Sequence, residues 1–119
     1  MNCPLVPVSI GELLDKITIL QIKSTYTGNK FVHKELQDLS KIAIDLGVYK
    51  KEYLDQLLEV NRKLWDVEDK LRDHEKRFVF DDEFVRLARS VYITNDKRSR
   101  IKKEINEETN SEYSEVKLY

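Results

Sequence analysis

The chain has 119 residues, enough for one helical domain spanning 1–119 and too few for two. Hydrophobic residues make up 40% and charged residues 36%, with only 3 Gly and 2 Pro, which suits a compact helical domain and excludes collagen, low-complexity disorder and turn-rich β sandwiches. The 21 Lys and Arg against 22 Asp and Glu leave a net charge of −1, so neither a nucleic-acid duplex nor a membrane surface is an expected partner.

Residues 1–8 hold both prolines, Pro4 and Pro7, which disfavour helix and predict an extended arm. Leu5, Val6 and Val8 give that arm something to bury. The arm lacks the charged and apolar regions of a signal peptide, and no run in the chain approaches the roughly 18 apolar residues of a membrane span. Cys3 is the single cysteine, so no disulfide can close within the chain and a reducing cytoplasm is the expected compartment.

Ser9 with Glu12 three residues on is a capping box that opens the first helix. Ile10, Leu13, Leu14, Ile17 and Leu20 form one helical stripe, and Ile19 and Ile22 lie on the other side. A helix apolar on two faces is expected to be central or covered by a partner. Either the second helix pair, an arm or a second copy should cover Ile19 and Ile22, and in the last case the chain is a homo-oligomer, by a two-fold contact. Gly28 is the expected stop.

A second helix is predicted from about Phe31 to Leu46, with Val32, Leu36, Leu39, Ala43 and Leu46 as its stripe and Gly47 as its cap. A third runs from about Lys50 to Lys76 on Leu54, Leu57, Leu58, Leu64, Trp65 and Leu71. Phe78 to Phe80 form an apolar turn. Asp81 or Asp82 then caps a fourth helix to about Glu108, on Phe84, Leu87, Ala88, Val91, Ile101 and Ile105. Residues 109–119 read as a docked extended tail or a frayed end. The fold class is therefore all-α: four helices built on a long antiparallel hairpin of helices three and four, with extended terminal arms. At roughly 40 Å each, helices three and four should outreach the first pair and leave apolar surface for the arms or a second subunit.

Polar residues interrupt the apolar arcs of the hairpin. Asn61, Glu68 and Arg72 fall within the arc of helix three, and Asn95 and Arg98 within that of helix four. A turn near residue 79 sets Arg98 opposite Asn61, with Glu68 the nearest carboxylate on the facing helix. These five residues are the candidate ligand-binding set. Read as a pocket, Arg98 binds an anion and Glu68 is its partner or an acid/base group. Read as architecture, they form a buried, hydrogen-bonded layer that fixes hairpin register.

Other chemistry is thinner. Glu12 with Asp15 and Glu35 with Asp38 are i, i+3 acidic pairs that a Mg²⁺ ion would suit if they met, a spacing similar to that of the all-α pyrophosphohydrolases related to MazG. With 22 acidic residues, solvated acidic faces account for them as well. His33, His74 and Cys3 make no zinc spacing, and no phosphate-cradling Gly-rich loop or nucleophile motif is present, so no metal or cofactor is expected and no catalytic residue is assigned. Lys97, Arg98, Arg100, Lys102 and Lys103 form a basic cluster, read as cations complementing a helix C-terminus rather than as a nucleic-acid surface.

Two blocks carry a resemblance. The segment from Ser9 to Lys23, SIGELLDKITILQIK, and the pair Leu64–Asp69 (LWDVED) with Phe84–Asp96 (FVRLARSVYITND) and Arg98 are similar to a small domain-of-unknown-function family of bacteria and cyanophages, numbered sixty-one sixty-five. The similarity covers nearly the whole chain and departs most between Tyr26 and Tyr53. It implies a short stand-alone protein, phage-encoded in some members and then acting in the host cytoplasm, and supplies no activity and no catalytic residues. Three-helix chorismate mutases also have a long first helix, but they need an arginine there and this one has none. The expected function is a non-enzymatic binding or regulatory module that meets a protein partner through a helical surface. The alternative is a small hydrolase or transferase acting on an anionic nucleotide or sugar in the pocket of Asn61, Glu68, Asn95 and Arg98.

Overall fold

The structure is a computed structural model that describes residues 2–119; Met1, the first residue of the expected arm, lies outside the described residues. It consists of α1 (Ile10–Tyr26), α2 (Lys30–Asp45), α3 (Lys51–Arg77) and α4 (Asp82–Glu108), with no strand among the described residues. The all-α, four-helix expectation holds, and each helix lies within a few residues of its predicted span.

α1 starts where the sequence places it, with the Ser9 hydroxyl accepting from the Glu12 amide at 3.1 Å. The reciprocal half of the capping box gives way to a tertiary contact, because the Glu12 carboxylate turns to Lys102 at 2.6 Å. The predicted glycine stop is corrected. α1 ends at Tyr26 on an extended Thr27, whose amide donates to the Lys23 carbonyl, and the one glycine in the left-handed region is Gly47. Asn29 already caps α2 by accepting from Phe31 at 2.8 Å, so the short link stays extended and needs no left-handed residue. α2 closes at Gly47 as expected, with φ at 74°.

α3 and α4 form the antiparallel hairpin. Phe78 closes α3 in the left-handed region at φ 57°, and the Val79 amide returns to the His74 carbonyl at 3.0 Å. A non-glycine residue there costs about 1 kcal/mol. Asp81 then caps α4, accepting from Phe84 at 3.0 Å, and this bond from the backbone holds the Asp81 carboxyl below its ordinary range.

The core gathers around α1, which packs against α2 on one side and against both hairpin helices on the other. Leu14, Ile17, Leu57 and Ile105 are the large apolar side chains at its centre. Ile22 is buried and Ile19 half-buried, and both line a cavity that α1 shares with α3. The 17 residues of α1 reach only about 25 Å, whereas the 27 residues of α3 and of α4 reach about 40 Å. The hairpin tip therefore stands clear of α1, and the molecule is 47 Å in its longest dimension.

Three apolar expectations fail. Leu5, Val6 and Val8 stay exposed on the extended arm. Leu46 is exposed beyond the end of α2, which touches only α1. Ala88 is exposed on α4. The C-terminal tail docks instead of fraying: Ser111 accepts from the Ile10 amide at 3.0 Å, and Glu115 and Lys117 pair with Lys102 and Asp96 on α4. Among the described residues, no helix is long and apolar enough to cross a membrane.

Candidate functional site

The second face of α1 builds the site. Gly11, Asp15, Thr18 and Ile22 recur at spacings of four, three and four residues, which aligns them along one side of a helix, and all four are buried. Gly11 lets α4 approach at backbone distance: a Cβ there would sit 2.7 Å from the Lys102 carbonyl oxygen. The Gly11 amide donates to Asn106 Oδ1 at 2.7 Å. Together with Ser9 and Ser111, Asn106 satisfies amides that a helix N-terminus otherwise leaves orphaned.

One turn on, Asp15 is 1% exposed and its carboxylate is held on both oxygens. Arg98 donates from Nε to Oδ1 at 3.0 Å and from Nη2 to Oδ2 at 2.6 Å. Asn61 Nδ2 donates to Oδ1 at 2.8 Å and to Thr18 Oγ1 at 2.9 Å, and the Thr18 hydroxyl donates to the Asp15 carbonyl at 2.7 Å. This two-toothed guanidinium–carboxylate geometry is the strong form of the ion pair. Lys102 Nζ lies 4.0 Å from Asp15 Oδ2 and bonds Glu12 at 2.6 Å and Glu115 at 3.1 Å. Burial opposes the charge on Lys102, but the hydrogen bonds to Glu12 and Glu115 and the field of Asp15 outweigh it and raise its pKa.

A groove of about 420 Å³ opens beside this layer, where α1 diverges from α4. Ile19, Ile22, Leu64 and Trp65 wall it, and Asn61 and Arg98 reach its floor. Glu68, Asp69 and Arg72 stand at its rim. Trp65 is set by stacking on Tyr26, with ring centroids 5.1 Å apart. On the other side of Arg98 a second cavity, of about 660 Å³, has Asn95, Lys102, Lys117 and Tyr119 in its lining. Each cation there meets a carboxylate: Arg98 meets Asp15, Lys102 meets Glu12 and Glu115, and Lys117 meets Asp96 at 3.3 Å.

Four of the five predicted residues, Asn61, Glu68, Arg72 and Arg98, line one groove. Asn95 falls on the far side of Arg98, which donates to its Oδ1 at 3.4 Å. Arg98 and Asn61 are neighbours, as the hairpin register requires, since both donate to one oxygen of Asp15. The partner of Arg98 is corrected: it is Asp15 on α1, whereas Glu68 is exposed and faces Arg72 at 3.6 Å. A register worked out for two helices contains no third one, so it could not name Asp15. The Gly11–Asp15–Thr18–Ile22 spacing was the available signal. The acidic pairs do not converge on a cation site either. Glu12 and Asp15 face Lys102 and Arg98, while Glu35 pairs with Lys16 and Asp38 with Lys34. Of the basic cluster, Lys102 is buried in the layer, whereas Lys97, Arg100 and Lys103 are exposed.

The model of a family described as a family of unknown function, DUF6165, matches residues 5–119 of the chain. No curated protein matches it. No solved structure matches it.

Proposed function

The chain belongs to that family of unknown function, and from this premise we propose that it is a non-enzymatic binding or regulatory module that docks an apolar protein element in the groove between α1, α3 and α4. One observation carries the reading. The guanidinium at the groove floor already gives two hydrogen bonds to a carboxylate that is 1% exposed, so the walls of Ile19, Ile22, Leu64 and Trp65 are what the groove offers a ligand. Small-molecule chemistry on an anionic nucleotide or sugar needs unmatched donors, and the cations of both cavities stand against carboxylates of their own chain. The cytoplasmic setting, and a bacterial or phage source, belong to the same proposal; an exposed Cys3 suits a reducing compartment.

Two titrations test it. The neutral dye Nile red should brighten on the native protein and lose that response in Leu64→Glu. Pyrophosphate, a nucleoside diphosphate and a nucleotide sugar should leave the side-chain NMR signals of Asn61, Asn95 and Arg98 unmoved. Saturable shifts at those three residues would overturn the module and favour the hydrolase or transferase.

A further inference from the structure

α4 carries a row of charge that no other part of the chain meets. Arg86, Arg89, Ile93, Lys97, Arg100 and Lys103 are all exposed. At about 100° per residue they fall within an arc of about 80°, along about 26 Å of the helix. Between residues 86 and 103 no carboxylate shares that arc. Arg98 and Lys102, which turn to α1, lie on the far side of α4. The row is therefore separate from the groove and from the polar layer.

Two observations set it apart from an ordinary solvated face. On α2 and α3, exposed cations close i, i+4 ion pairs: Lys34 with Asp38, Lys41 with Asp45, Lys51 with Asp55 and Arg77 with Asp73. On α4, Asp82, Asp96, Glu104 and Glu107 each stand four residues from a cation of the row. Among the described residues, none of the five cations nevertheless takes an ion-pair partner. Arg86 and Arg89 also sit near the start of α4, so complementing its C-terminus does not account for them. Like charges three residues apart, Arg86 with Arg89, Lys97 with Arg100 and Arg100 with Lys103, destabilise a helix. The row thus costs the monomer stability.

We propose that this face of α4 docks an acidic helix of a partner protein, one with carboxylates at i, i+3 and i+4 spacing and an apolar residue at its centre. Steps of three and four residues set successive members of the row about 4.5–6 Å apart, the same rise as between carboxylates so spaced on a helix laid alongside. Ile93, 51% exposed, is the apolar contact in the middle of the row. Glu59 and Glu104 share a recess of about 390 Å³ with Lys97 and Arg100. Those two acids repel a carboxylate, so the partner's charges are held to the row itself. A nucleic acid fits worse, because its phosphates make no use of Ile93 and a chain of net charge −1 repels a polyanion beyond the reach of one row.

Fluorescence anisotropy of a labelled peptide against the full chain tests it. The peptide is a helix of about 20 residues with glutamates at that spacing, alanines between them and one central leucine. It should bind saturably in about 50 mM salt and at least tenfold more weakly in about 300 mM salt. The quintuple variant Arg86→Gln/Arg89→Gln/Lys97→Gln/Arg100→Gln/Lys103→Gln should lose binding while its Tm stays level or rises, because the like-charge pairs are gone. Arg86→Gln/Arg89→Gln alone should weaken binding at least threefold. Lys34→Gln/Lys41→Gln/Lys51→Gln, which removes exposed cations elsewhere, should bind like the wild type. Ile93→Ser should weaken the leucine peptide and leave a peptide with central alanine unaffected. A wild type that does not bind overturns the proposal, as does a quintuple variant that binds normally or an equal loss in the α2 and α3 variant. A thymidine oligonucleotide of matched charge that binds as tightly as the peptide, with Ile93→Ser without effect on either, overturns the acidic helix as the occupant.

Discussion

Arg98→Ala is the sharpest probe of the polar layer. The substitution removes both charge-assisted bonds to Asp15 and leaves a carboxylate that is 1% exposed with Asn61 at 2.8 Å and Lys102 at 4.0 Å. Removing one partner of a buried pair costs about 3–5 kcal/mol. Asn61 and Lys102 remain to share the stranded charge, and alanine is a slightly better helix former, so the low end applies, about 3 kcal/mol. With a urea m-value near 1.5 kcal/mol/M, the midpoint should fall by about 2 M with the slope unchanged. Urea denaturation followed by far-UV circular dichroism measures it directly. Asp15→Ala alone and the double variant complete a cycle, in which the coupling between the two side chains should be about 2 kcal/mol. Replacing the pair together, as Asp15→Leu with Arg98→Met, should recover most of the loss, because the apolar isosteres need no partner. A single-variant loss below about 1 kcal/mol, with coupling near zero, would mean that the pair behaves as a surface ion pair and that the layer does not hold α1 on the hairpin.

Gly11→Ala should destabilise although alanine favours helix, because its Cβ would meet the Lys102 carbonyl at 2.7 Å and push α1 from α4. A cost of about 2 kcal/mol lowers Tm by roughly 8 °C, and a calorimetric Tm at or above the wild type would contradict the close approach. Lys102 sets an alkaline limit. Its folded pKa is raised above the unfolded value near 10.4, so its stabilisation is fully present below about pH 10 and is lost as pH rises through the folded value. Urea midpoints taken at pH values below and above that window should fall more steeply for the wild type than for Lys102→Met; parallel curves would rule out the Glu12–Lys102–Glu115 cluster as the cause.

Local rules written along the chain were enough for much of this molecule. Ser9, Asp81 and Gly47 act within one turn of themselves, so their capping and turn roles follow from residue type and spacing. The hairpin follows from two long apolar arcs with a short link, and with it the neighbourhood of Asn61 and Arg98. Apolar residues at 3.6-residue spacing say that a helix is buried, and on two faces of α1 they said that it is central. They do not say which helix lies across which. That choice came from packing: α1 crosses the hairpin diagonally, Gly11 against α4 and Tyr26 against Trp65, and the crossing carries Asp15 into a position that neither α3 nor α4 specifies. The partner of Arg98 therefore changed from a carboxylate on the facing helix to one 83 residues away. The same crossing angle leaves the wedge of Ile19, Ile22, Leu64 and Trp65 open. Hydrogen-bond and charge demands are legible in one dimension as needs, but the group that meets them is fixed by the angle and distance at which helices pack, which is a property of three surfaces at once.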